Sequence, residues 1–235
     1  MSTQLVLVHS PLLGPGSWAS VGDLMAALGW DVAVPELRDN GRAPYWPQHV
    51  RSVISALRNG TSDVVLVAHS GAGPLLAAIA HQLGTRASAL LFVDAGLPGD
   101  GLSRLQMLRA EVGDAFADSF QTHLEAGGRY PEWRDRDLAP FIDARAMRAT
   151  ILASQRPRSL NFWTEAIAAP AGWAALPCGY LQLSDGYAMP AARAREMGWP
   201  VIERTTNHFA LVTDGGTVAD DLQTLLGGFG FTPIS

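Results

Sequence analysis

Short runs of branched apolar residues alternate along the chain with longer stretches whose apolar positions recur at helical spacing. The runs at Gln4–His9, Asp31–Val34, Asp63–Ala68, Ala87–Val93, Gly179–Leu183 and Val201–Arg204 predict strands. Between them, helical spacing covers Trp18–Leu28, Gln48–Arg58, Ala72–Leu83, Ala191–Met197 and Thr217–Leu226. Gly29 and the Asn59-Gly60 pair are stop signals for the first two of these helices. Strands separated by helices of this length imply right-handed crossovers and a parallel sheet with helices on both faces. The expected class is α/β, with a doubly wound, mostly parallel sheet.

One segment breaks the alternation. Between about Gly99 and Pro177 there is no convincing strand, only helical patterns such as Leu102–Phe120 and Ala139–Ala153. Its length far exceeds an ordinary crossover. The expected division is therefore a core of residues 1–98 and 177–235, with residues 99–176 a helical cap insertion over one end of the sheet.

Composition narrows the class. In 235 residues, 48% are hydrophobic and 17% charged, enough apolar material for a sizeable core. The net charge of −5 and the absence of a basic cluster speak against nucleic acid or an anionic membrane as partner. No apolar run reaches the ~18 residues of a membrane span, and the first apolar run lacks the basic flank of a signal peptide. A cytoplasmic location is expected, with a small-molecule substrate as partner and a homodimer compatible with the sequence. The lone cysteine, Cys178, precludes an internal disulfide and reads as a packed core thiol. The six histidines show no ligand spacing, and "GPGSW" lacks the third glycine of a dinucleotide fingerprint. Neither a metal nor a cofactor is expected.

The stretch "VVLVAHSGAGPLLAAIAH" puts Ser70 at the joint of a buried strand and a buried helix, with Ala68, Gly71, Ala72 and Gly73 around it. In open α/β sheets, ligands bind at the carboxyl ends of the strands, where this serine falls. A tight strand-to-helix turn tolerates only small neighbours. The arrangement resembles the nucleophile elbow of the α/β-hydrolase family, G-x-S-x-G, although both flanking glycines of the motif are alanines here, Ala68 and Ala72. That family orders its catalytic groups as serine, acid, histidine. "TTNHFALVTDGG" places His208 after the last strand and before the last helix, the position of the family's general base. An imidazole is suited to that role because its ordinary pKa of ~6.5 allows it to accept a proton near neutrality. For the acid, the resemblance points to Asp185 in "LQLSDGY", directly after a strand; Asp94 in "LLFVDAGLP" is the alternative, from which some members recruit the acid. A carboxylate there fixes the imidazole tautomer and stabilises the imidazolium.

The first loop departs from the family pattern. Members read His-Gly-X, with the X amide helping to hold the oxyanion beside the amide after the nucleophile, here Gly71. This chain reads His9-Ser10-Pro11, and proline has no N–H. Losing one such donor costs about 2.7–4 kcal/mol of transition-state stabilisation. Three readings stand: the Leu12 N–H takes over, the Ser10 hydroxyl donates, or no tetrahedral oxyanion is held; Leu12 is the expected donor. His9 and His69 read as supports of the loop and the elbow rather than bases. Pro11, Leu12, Leu13, Trp133, Phe162 and Trp163 are the expected pocket walls, suited to an apolar acyl group. Arg104, Arg109, Arg145 and Arg148 could meet an anionic group or simply face solvent. The resemblance implies a serine hydrolase acting on a small, mainly apolar ester, thioester or lactone. The alternatives are a non-hydrolytic relative (lyase, cyclase or acyltransferase) and a non-catalytic ligand-binding member of the fold.

Overall fold

A computed structural model describes residues 3–57 and 63–233. Six parallel strands form one sheet: β1 (Thr3–Val8), β2 (Asp31–Ala33), β3 (Asp63–Ser70), β4 (Ala87–Ala95), β5 (Cys178–Gln182) and β6 (Val201–Glu203), in the order β2-β1-β3-β4-β5-β6. The helices are α1 (Ala19–Ala27), α2 (Trp46–Ala56), α3 (Leu76–Leu83), α4 (Arg104–Val112), α5 (Asp114–Glu125), α6 (Asp135–Leu138), α7 (Arg145–Ser154), α8 (Leu160–Thr164), α9 (Ala188–Glu196), α10 (Ala210–Thr213) and α11 (Gly215–Gly228). The expected stop at Asn59-Gly60, and the end of its helix at Arg58, lie outside the described residues.

Strand side chains alternate between two cores because successive residues point to opposite faces. Val6, Val8, Leu66, Ala68 and Phe92 pack on one face with residues of α2, α3 and α9. Leu5, Leu7, Val65, Val67 and Leu91 pack on the other with residues of α1 and α11. Cys178 lies in the first core, its thiol pushed up to about 12 by burial. No helix among the described residues is long and apolar enough to cross a membrane.

The 99–176 stretch contains α4 to α8 and no named strand. Its long helical patterns are shorter in the structure than the periodicity predicts. The run at Leu102–Phe120 is cut into α4 and α5 at Gly113, whose φ of +89° a side-chain-bearing residue rarely adopts. The run at Ala139–Ala153 starts at Arg145, after a turn carrying Pro140.

The strand order changes direction between β1 and β3. β2 lies outside β1, and the chain then crosses to place β3 on the other side. The loops leaving β1 and β3 diverge there and open a crevice. Close approach is enforced after β3: a Cβ at position 73 would lie 2.0 Å from the Gly96 carbonyl oxygen, whereas one at position 71 would meet nothing nearer than 3.6 Å. Gly73→Ala is expected to lower Tm by roughly 6–12 °C, as about 3 kcal/mol of overpacking in a domain of this size. Thermal melts check this, and an unchanged Tm contradicts the close approach.

Candidate active site

Ser70 is the last residue of β3, and the register with β4 slips there: His69 pairs with Val93 but Ser70 with Ala95, leaving Asp94 unmatched. Ser70 and Asp94, with φ of +58° and +43°, are the two non-glycine residues with positive φ among the described residues. Such strain costs on the order of 1–3 kcal/mol each and persists only where the surroundings enforce it. Here it turns a hydroxyl and a carboxylate out of the strand line toward one histidine. The Ser70 Oγ lies 3.1 Å from His208 Nε2, and His208 Nδ1 lies 2.8 Å from Asp94 Oδ2.

Asp94 has no solvent exposure. Its Oδ1 accepts the Leu183 and Ser184 amides at 2.8 and 3.0 Å, and its Oδ2 the Ser184 hydroxyl at 2.6 Å. Burial pushes its pKa up, but the bonds from His208, Ser184 and the Leu183 amide outweigh this and hold it below the usual carboxylate value. A charged Asp94 fixes the proton of His208 on Nδ1, leaving the Nε2 lone pair for the serine O–H.

This corrects the expectation for the acid. Asp185 is exposed, at the start of the turn Asp185–Tyr187. The backbone leaving β5 directs its amides at 183 and 184 onto Asp94, and position 185 falls outside. The sequence offered both carboxylates; the bulge that selects Asp94 is a tertiary feature with no local signature.

His69 and His9 both act as neutral supports. His69 donates from Nε2 to the His208 carbonyl at 3.1 Å and stacks on the His208 ring at 4.5 Å between centroids. Burial and the neighbouring His208 bring its pKa down to about 3. In the first loop His9 Nδ1 donates to the Ser10 carbonyl at 2.9 Å, while its Nε2 accepts the Leu37 amide at 3.0 Å. Burial lowers this imidazole to about 4.

The loop places its donors differently from the expectation. The Leu12 N–H is directed at the Ser10 Oγ, 3.4 Å away. With that bond accepted, the Ser10 O–H is left to donate. A Cβ at Gly71 would lie 3.6 Å from the Ser10 Oγ, so hydroxyl and elbow face each other. The Leu12 amide is thus engaged with Ser10, while Leu12 itself lines the cavity. Arg158 holds the Pro11 carbonyl at 3.2–3.3 Å and fixes the turn.

Ser70, His208 and Gly71 open onto a cavity of about 270 Å³. Pro11, Leu12, Leu13, Trp133, Phe162 and Trp163 all line it, with Tyr130 and one face of α4. Phe116 and Phe141, other aromatics of the same segment, are exposed. On α4, Arg104, Met107, Leu108 and Glu111 share the cavity side at i, i+3, i+4, i+7 spacing. Arg104 is buried over the Phe162 ring, 4.2 Å from its centroid, and pairs with Glu165 at 3.3 Å. Arg109 and Arg148 pair with surface aspartates instead, and Arg145 is exposed. Glu111 is pushed up to about 7 by burial. Sequence reasoning missed Tyr187, whose hydroxyl lies 3.2 Å from the Ser70 Oγ and whose ring stacks on His208. The available signal was an aromatic directly behind a strand end, too common to single out. Among the described residues no cluster of potential metal ligands occurs.

A family model described as the alpha/beta hydrolase family matches residues 5–221. The chain belongs to that family. No curated protein matches it significantly by sequence. Among solved structures, it is similar to an extracellular alpha/beta-hydrolase from a Paenibacillus species, described as sharing structural and functional homology with tobacco salicylic acid binding protein 2 (TM-score 0.77, 20% identity, covering 95% of this chain and 98% of that one). It is also similar to tomato methylketone synthase I (TM-score 0.72, 14% identity, 97% and 99% covered) and to polyneuridine aldehyde esterase (TM-score 0.70, 16% identity, 96% and 99% covered).

The two carboxylates are separable by mutation. Asp94→Asn is expected to lower kcat on a turned-over ester by about 10³–10⁴-fold, because the amide favours the wrong imidazole tautomer. Asp185→Asn is expected to change it less than about threefold, as an exposed residue outside the hydrogen-bond line. The reverse order in steady-state kinetics would return the acid role to Asp185.

Proposed function

We propose that the chain is a cofactor-independent serine hydrolase acting on a small, mainly apolar ester, thioester or lactone. The observation that carries this reading is the unbroken line from the Ser70 Oγ through His208 to the buried Asp94, at the floor of an apolar cavity. Family membership and the likeness to an esterase support it.

In the first half-reaction the Ser70 oxygen attacks the carbonyl carbon while His208 Nε2 takes the serine proton. The developing oxyanion is held by the Gly71 N–H and the Ser10 O–H, the latter supplying the donor that Pro11 lacks. Asp94 stabilises the imidazolium. The carbonyl–leaving-group bond breaks as His208 returns the proton to the leaving oxygen or sulfur. A water molecule then attacks the acyl carbon, gives its proton to His208, and releases Ser70 with that proton back on Oγ. The wall of α4 to α8 acts as the cap, holding the acyl chain against Trp133, Phe162 and Trp163 and keeping bulk water out.

A second reading, a non-hydrolytic reaction in the same cavity, is favoured by Pro11 and by the likeness to methylketone synthase I. The experiment that separates the two uses a fluorophosphonate probe and 4-nitrophenyl esters of short fatty acids. The wild type is expected to take the label on Ser70 and to turn over the esters. Ser70→Ala should lose the label and at least about 10⁴-fold of turnover. Labelling without ester turnover would favour the non-hydrolytic reading, and absence of both would remove the serine from the chemistry.

A further inference from the structure

The proton inventory around Ser70 leaves one group without a task in the scheme above. His208 Nδ1 donates its N–H to Asp94, so Nε2 is an acceptor and the Ser70 O–H points at it. The Ser70 Oγ then meets the Tyr187 hydroxyl, 3.2 Å away, with only lone pairs to offer. Tyr187 is therefore the donor of that bond. Its ring stacks on the His208 imidazole at 5.0 Å between centroids and 8° between planes, and it lines the cavity. The phenol thus sits beside the base and next to the reacting oxygen.

From this placement, and resting on the hydrolase reading above, we propose that Tyr187 is a catalytic residue whose O–H donates to the leaving-group oxygen as the ester bond breaks. The leaving oxygen and the Ser70 Oγ are bound to the same carbon in the tetrahedral intermediate, one bond angle apart. A donor in reach of Oγ from the imidazole side reaches the leaving atom when its O–H turns about the phenolic C–O bond. The Gly71 amide and the Ser10 hydroxyl sit with the elbow and first loop, not with the imidazole, and serve the carbonyl oxygen. Tyr187 keeps its own proton throughout. His208 supplies the one transferred to the leaving group, and the phenol stabilises the negative charge that builds there before transfer is complete. Burial and the nearby Asp94 and Glu111 charges push the phenol above its ordinary value, so it remains a donor across the working pH range.

A donor to developing charge on a leaving group matters in proportion to that charge. Alkoxides need it, whereas 4-nitrophenolate stabilises itself. The test compares Tyr187→Phe with wild type on an ethyl and a 4-nitrophenyl ester of the same acyl group. The expected result is a loss of about 10–100-fold in kcat/KM on the ethyl ester, the range for a hydrogen bond to a charged group, against less than about threefold on the 4-nitrophenyl ester. Equal losses on both esters, or none on either, overturn the assignment. If Tyr187→Phe does not fold, 3-fluorotyrosine at this position preserves ring and hydroxyl. As a stronger donor it must raise the ratio of ethyl to 4-nitrophenyl turnover, and an unchanged ratio overturns the assignment equally. Ser70→Ala serves as the separate control. Turnover of both esters by that variant defeats the hydrolase reading itself, whereas equal losses in Tyr187→Phe with an inactive Ser70→Ala defeat only the role of Tyr187.

Discussion

Asp94 carries a negative charge in a place closed to solvent, and the elements around it are arranged to hold that charge. An uncompensated carboxylate there would cost several kcal/mol or take up a proton. The amides at 183 and 184, the Ser184 hydroxyl and the His208 N–H supply four hydrogen bonds instead. Three of these come from the chain leaving β5 and one from the loop after β6. The carboxylate on β4 therefore ties together the ends of three adjacent strands. It orients the imidazole, and the imidazole in turn sets the direction of the Ser70 O–H.

The elbow and the bulge are complementary distortions. Ser70 can leave the β3 line only because the β3–β4 register slips beside it, and the same slip frees Asp94 from pairing. The tight pass of Gly73 against the Gly96 carbonyl holds the two strand ends in this relation. On the cavity side, hydrogen bonds hold the first loop: His9 to Ser10 and Leu37, Leu12 to Ser10, and Arg158 to Pro11. Such preorganisation is where electrostatic catalysis gains most, because no donor has to reorient as charge develops.

Much of this was legible along the chain. The strands read clearly because a sheet covered on both faces is apolar throughout, and Ser70 and His208 were legible from small neighbours and from their order relative to strand ends. Residues 11–13, 133, 162 and 163 were legible as walls because bulky apolar groups cluster in the first loop and in the segment before β5. The choice between Asp94 and Asp185 was not legible. Both follow a strand, and the difference is one unmatched residue in a register that only the paired sheet defines. Loop position marks Leu12 as a candidate donor, whereas the bond of its amide to the Ser10 hydroxyl oxygen is visible only in the folded loop. Tyr187 carries no signal along the chain because its stacking against His208, 21 positions away, exists only in the fold. The α4–α5 break at Gly113 was hidden by a helical periodicity that continues across it.

The buried carboxylate at 94, rather than Asp185, holds the proton of the imidazole on Nδ1. Proton NMR of ¹⁵N-labelled protein tests it most directly, through the far-downfield resonance of the His208 Nδ1 proton. This signal is expected to be present in the wild type, to survive Asp185→Asn and to vanish in Asp94→Asn. Its persistence in Asp94→Asn, or its loss in Asp185→Asn, would contradict the account.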